Sequence, residues 1–118
     1  MPDLRVLQKR VWVTAEESGF HDPGTNTKPA AWCANLHGEV SELWEAYREG
    51  KLDQPCDKAD KMRELELRPL NCAEEELADL VIRAMDIAEQ LGLDLESAIV
   101  VKDAYNQTRP WRHGGKKA

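Results

Sequence analysis

Four carboxylates fall in two pairs at one spacing, Glu39-Val-Ser-Glu42 and Glu76-Leu-Ala-Asp79. Three residues apart on a helix, the members of each pair lie about 60° from one another around the axis and share a face. If two such helices pack on their apolar stripes, the pairs meet across one groove. Like charges gathered there repel and raise each other's pKa unless a cation sits between them. Oxygen-only ligands on rigid helices suit a small hard ion, Mg2+ or Mn2+, better than Zn2+. Spacing alone also describes two ordinary solvated acidic faces, and on its own it favours that blander reading.

A second column shifts the balance. Lys102, Asn106 and Arg109 stand at i, i+4 and i+7, within about 60° of one another and on the face of Leu95 and Ile99. The helix dipole favours cations at a C-terminus, which is one explanation for them. The other is that they donate to phosphate oxygens, with the arginine able to hold two at once. Acidic groove, hard cation and cationic column together describe a polyphosphate site.

The elements that must position these residues are helical. A first helix is predicted over about Asp3 to Ser18, capped by Asp3 and carrying Leu4, Leu7, Val11 and Ala15 at helical spacing; it stops before the loop Gly19 to Gly24. The second starts at Pro29, aligns Trp32, Leu36, Val40, Leu43 and Tyr47, and ends at Gly50. The segment Lys51 to Cys72 is too long for a bare loop, and its Asp57–Leu65 stretch offers a short helix or lid. A third long helix covers about Ala73 to Leu91, its apolar face Leu77, Leu80, Val81, Ala84, Ile87, Ala88 and Leu91, with Gly92 as its stop. The fourth opens at Asp94, turns Leu95, Ala98 and Ile99 inward, and ends at Arg109-Pro110. Strand signals are nearly absent. A single all-α domain over residues 1–118, a four-helix bundle with a basic tail at 110–118, is the architecture expected.

Composition agrees and excludes much else. The 118 residues hold 42% hydrophobic and 32% charged side chains, an ordinary globular balance. With 16 Lys+Arg against 22 Asp+Glu, a net charge of -6 disfavours nucleic-acid polymers and anionic membranes as partners. No apolar run approaches the roughly 20 residues of a membrane span. The opening Met1–Val6 lacks the apolar region of a signal peptide. Three cysteines, Cys33, Cys56 and Cys72, are widely spaced and odd in number, and read as free thiols of a reducing, cytoplasmic compartment.

In this order and spacing, E-x-x-E, E-x-x-D and Lys102-x-x-x-Asn106-x-x-Arg109-Pro110 resemble the MazG-like all-α nucleoside triphosphate pyrophosphohydrolases. The likeness runs from about His21 to Lys117 and includes Glu74–Arg83. It implies Mg2+-dependent hydrolysis of a (deoxy)nucleoside triphosphate between its α and β phosphates, in nucleotide-pool control or house-cleaning. By position it makes Glu39, Glu42, Glu76 and Asp79 the metal ligands, with Glu42 the choice for accepting the water's proton. Lys102, Asn106 and Arg109 hold the phosphates, and His21 matches in position a histidine of the base pocket. The long segment 51–72 departs from the family and carries no guide to the base preferred. Lys58, Lys61 and Arg63 within it either close over the phosphates or are solvated.

Other readings are weaker. A ferritin-like di-iron bundle needs two Glu-x-x-His elements, and the sequence has none. His37 lacks the second histidine of a zinc motif and reads as structural. Trp32, Trp44 and Tyr47 read as core or interface before base stacking. A non-catalytic helical module of the same fold, binding nucleotide or protein, is the alternative function. Trp44 lies about 80° off the Leu36 stripe, and Ile82 and Met85 stand off the Leu77/Val81 stripe. That second apolar face predicts a homodimer or tetramer.

Overall fold

A computed structural model describes residues 2–23 and 27–110. The tail from Trp111 to Ala118 lies outside the described residues. The chain is all-helical: α1 (Leu4–Glu17), α2 (Pro29–Arg48), α3 (Ala59–Glu64), α4 (Cys72–Gln90) and α5 (Leu95–Gln107). Among the described residues there is no strand, only an isolated antiparallel bridge between Pro55 and Asn71.

Local chemistry sets most helix ends. Asp3 accepts from the Val6 amide at 2.9 Å and opens α1. Pro29 fills the first position of α2, where no amide is missed. Beyond α2 and α4 the chain reverses through Gly50 and Gly92, at φ +68° and +69°, a conformation that a Cβ disfavours. Asn71, not Ala73, starts α4. Its side chain accepts from the Glu74 amide while Glu74 accepts from the Asn71 amide, a reciprocal capping box. The expected short helix in the connection is α3.

Helix α4 is the central element, with α1 and α2 packed on it. Helix α5 follows the turn at Gly92 and leans on α1, where Arg5 pairs with Asp94 and donates its amide to Glu96. From Ser97 to Thr108 every residue of α5 is exposed, so Ala98 and Ile99 do not turn inward as expected. The chain alone therefore does not close a four-helix bundle. Its radius of gyration, 16.6 Å, exceeds the roughly 13–14 Å of a compact domain of this length.

The interior also differs from the predicted stripes. Val40, Tyr47, Leu77 and Val81 are about half exposed, as is Trp44 off the stripe. Gln8, Glu39, Glu75 and Asp86 are buried, alongside Cys56, Ala59, Met85 and Ala88. Met85 is thus core and not surplus face. Polar groups inside and large apolar groups outside invert the usual partition.

Candidate functional site

Where α2 crosses α4, Glu39, Glu42, Glu76 and Asp79 come together. Each offers a carboxylate oxygen, and these atoms lie within 4.8 Å of one another. The two predicted pairs do converge. Glu39 is buried, Glu76 and Asp79 half-buried, and Glu42 exposed.

Their proximity shifts their titration. Burial pushes Glu76 up to about 7, helped by its hydrogen bond with Glu42 and by the charges of Glu42, Glu75 and Asp79. Burial also raises Glu39, opposed by a hydrogen bond from Arg83 and reinforced by Glu42 and Asp79. Asp79 is raised by burial and then by Glu75. Without a cation, burial and the hydrogen bond with Glu42 favour the protonated form of Glu76. Among the described residues, Glu39 Oε2, Glu76 Oε2 and Glu75 Oε2 are buried with no hydrogen-bond partner. Orphaned carboxylate oxygens are costly, and a hard divalent cation is a group that would satisfy those of the cluster. The four residues fit such an ion in number, atom type and spacing.

Two concavities flank the cluster, one on each side. The first, about 410 Å³, is walled by α1, Phe20 and α4, and reaches Glu39 and Asp79. Its apolar surfaces come from Val11, Phe20 and Ile82; Arg83 and Asp86 add polar groups. Arg83 lies over the Phe20 ring, 5.2 Å from its centre, and donates to Glu39 at 3.2 Å. The second, about 840 Å³, reaches Glu42 and Glu76 and is bordered by the α2–α4 connection with Lys51, Lys58, Cys56 and Cys72. The first has the size and lining of a small-molecule pocket.

Other predicted residues fall elsewhere. His21 is packed behind the first cavity and not open to it: its Nδ1 meets Glu16 at 2.6 Å, its Nε2 meets Asp86 at 2.8 Å, and Trp12 lies against its ring. Both ring nitrogens are engaged, which ties the loop to Glu16 of α1 and Asp86 of α4. The carboxylates outweigh its burial and raise its pKa. Lys102, Asn106 and Arg109 are not brought to the cluster of their own chain. Lys102 and Asn106 line a shallow groove of α5 with Leu95 and Ile99, as their common face predicted, and Lys102 and Arg109 flank the Tyr105 ring. His37 is exposed on α2. The three thiols are free; Cys56 is buried, and Glu75 together with burial pushes its thiol up.

Phe20 and Asp86 line the first cavity and take no role from sequence. Arg83 and Glu75 stand in the family-like stretch without an assigned role, and Lys58 is one of three cations read as either closing over the phosphates or solvated. Arg83 carried a signal, standing four residues beyond Asp79 and seven beyond Glu76 on the same face. Phe20 and Lys58 lie in connections, where periodicity says nothing. Comparison of the chain with protein-family models, with curated proteins and with solved structures gave no match. The likeness to the MazG-type enzymes therefore rests on its motifs.

Proposed function

We propose that the chain is a MazG-like nucleoside triphosphate pyrophosphohydrolase that uses Mg2+, or Mn2+ in its place. The observation that carries this reading is the meeting of both i, i+3 acid pairs within 4.8 Å, with buried oxygens left unpartnered. Glu39, Glu42, Glu76 and Asp79 would hold the metal, which when bound screens the phosphates from a chain of net charge -6 and polarises the phosphoryl oxygens. Glu42, the member open to solvent, is placed to accept the proton of the attacking water. The apolar cavity beside Glu39 and Asp79 accepts the nucleoside, with the Phe20 ring as its flat wall.

The oligomer belongs to the same proposal. A second copy laid on the exposed α5 and on Val40, Trp44, Leu77 and Val81 would complete the bundle. It would also set Lys102, Asn106 and Arg109 beside the partner's carboxylates, the phosphate-holding role that their own chain leaves open. A screen of canonical and modified NTPs and dNTPs for pyrophosphate release tests the reading. Mg2+-dependent release of pyrophosphate from at least one is expected; orthophosphate release, or none at all, would refute it. A non-catalytic nucleotide binder would instead show no release while its melting temperature responded to Mg2+ with a non-hydrolysable triphosphate, and a protein-binding module would show neither.

A further inference from the structure

The connection between α2 and α4 carries three cations that part company in the fold. Lys61 pairs with Glu64 at 3.4 Å and Arg63 with Asp60 at 2.7 Å, each within α3 and on its solvent side. Lys58 turns to the site. Its Nζ lies 2.6 Å from Glu75 Oε1, its charge reaches Asp79, and it borders the groove that ends at Glu42 and Glu76.

The lysine is firmly placed. The Cys56 amide donates to Leu70 O, the Cys72 amide to Gln54 O and the Ala73 amide to Leu52 O, which staples the segment before Lys58 to the start of α4. Glu75 is nearly buried, its side chain 11% exposed, whereas that of Lys58 is 62% exposed. An ammonium group has three donors. Glu75 takes one at short range and Asp57 takes a long second at 3.4 Å, so a third is open to the groove. The lysine beside Glu75 disfavours it as a metal ligand, although its charge still reaches Glu76 and Asp79.

We infer that Lys58, aimed by Glu75, binds the distal phosphates of the substrate and the pyrophosphate product, on the side of the acidic cluster opposite the apolar cavity. The inference rests on the triphosphate reading and gives it a direction. The nucleoside lies on the side of Glu39 and Asp79, and the phosphate chain crosses the four carboxylates to emerge beside Glu42, Glu76 and Lys58. Lys51 lines the same groove but is paired with Glu49 at 2.9 Å, so Lys58 is the cation assigned to the phosphates. Glu75 is a positioning residue in this arrangement.

Calorimetric titration of inorganic pyrophosphate onto the full chain with Mg2+ reads the contact without turnover. Lys58→Met and Lys58→Gln should weaken binding roughly ten- to a hundredfold, the usual effect of one charge-assisted phosphate contact. Glutamine can still donate to Glu75 and keeps the segment in place. Lys61→Met should change nothing, and Lys58→Arg should retain most of the affinity. Mn2+ titration separates binding from scaffolding: a lost positive charge leaves Mn2+ affinity equal or higher, while a loosened scaffold lowers it. Pyrophosphate affinity within twofold of the parent, a parallel loss of Mn2+ binding, or no Mg2+-dependent pyrophosphate binding by the parent overturns the inference. Lys58-dependent pyrophosphate binding without turnover of any triphosphate overturns the enzymatic reading alone.

Discussion

Arg83 joins two parts of the site with one side chain: its Nε donates to Glu39 Oε1 at 3.2 Å while its guanidinium covers the Phe20 ring. The hydrogen bond opposes the upward push that burial gives Glu39, and the loop after α1 is tied to α4. Charge, position and the shape of the apolar cavity all depend on this residue.

Replacing it tests the cavity. Arg83→Met keeps the bulk and removes both interactions, and KM for the preferred triphosphate should rise roughly tenfold, a loss typical of one cation–π contact and one hydrogen bond. The circular dichroism spectrum should be unchanged. Steady-state kinetics with KM unaltered would show that the Phe20 wall does not meet the nucleotide.

Glu42→Gln and Asp79→Asn each preserve shape and delete a charge from the cluster. Turnover should fall to background in both, with helical content intact. Mn2+ binding, followed by calorimetry, should weaken in parallel for Asp79→Asn. Full activity in either variant is incompatible with the assigned site.

The carboxylates also predict a pH dependence with a definite sign. Glu76 is raised to about 7, and Glu39 and Asp79 are raised as well, so the folded chain binds protons more tightly than the unfolded one. Such groups contribute stability below their unfolded values and lose it as pH rises through the folded ones. The metal-free protein should therefore melt lower at pH 8 than at pH 5.5, by an amount equivalent to roughly 1–3 kcal/mol. Saturating Mg2+ should raise the melting temperature at pH 8 far more than at pH 5.5. Glu76→Gln should remove most of the metal-free pH effect. Calorimetric scans across this range, with and without Mg2+, decide the matter.

The cations of α5 call for a two-chain experiment. Light scattering should give at least twice the 13.4 kDa of one chain. Lys102→Ala and Arg109→Ala should weaken triphosphate binding more than monophosphate binding. Mixing Arg109→Ala chains with Asp79→Asn chains should then restore on the order of a quarter of the parent activity, since half the dimers carry one intact site of two. No recovery after subunit exchange would mean that these residues do not serve a partner.

How far the sequence carried this fold depends on the range of the forces involved. Asp3, Pro29, Gly50, Gly92 and Asp94 act on their immediate neighbours, so the long helices could be bounded to within a residue or two. Asn71 and Glu74 form an equally local capping box, which apolar periodicity does not report. The acid pairs were legible because helical spacing aligns them before any packing occurs. Periodicity identified an apolar face through Leu77 and Val81 but not what lies against it, and the chain leaves that face half exposed. Lys102 and Asn106 share the face of Ile99 as read, but the direction in which α5 leaves Gly92 is set by distant contacts with α1. Arg83 over Phe20 and Lys58 on Glu75 join residues far apart in sequence, beyond the reach of any local pattern.

Gln8, 2% exposed, is the most deeply enclosed large side chain of the described residues. Its amide donates to Leu93 O at 2.7 Å and Glu89 Oε1 at 2.9 Å and accepts from the Leu95 amide at 3.2 Å. Every one of these partners is more than 80 residues downstream. During synthesis on the ribosome, α1 therefore cannot be fully seated until the chain through Leu95 has emerged. Until the turn at Gly92 emerges, α1 has nowhere to place this amide. The acid pairs on α2 and α4 can meet earlier, so the wall that α1 gives to the apolar cavity is fixed only after the turn at Gly92 has been translated.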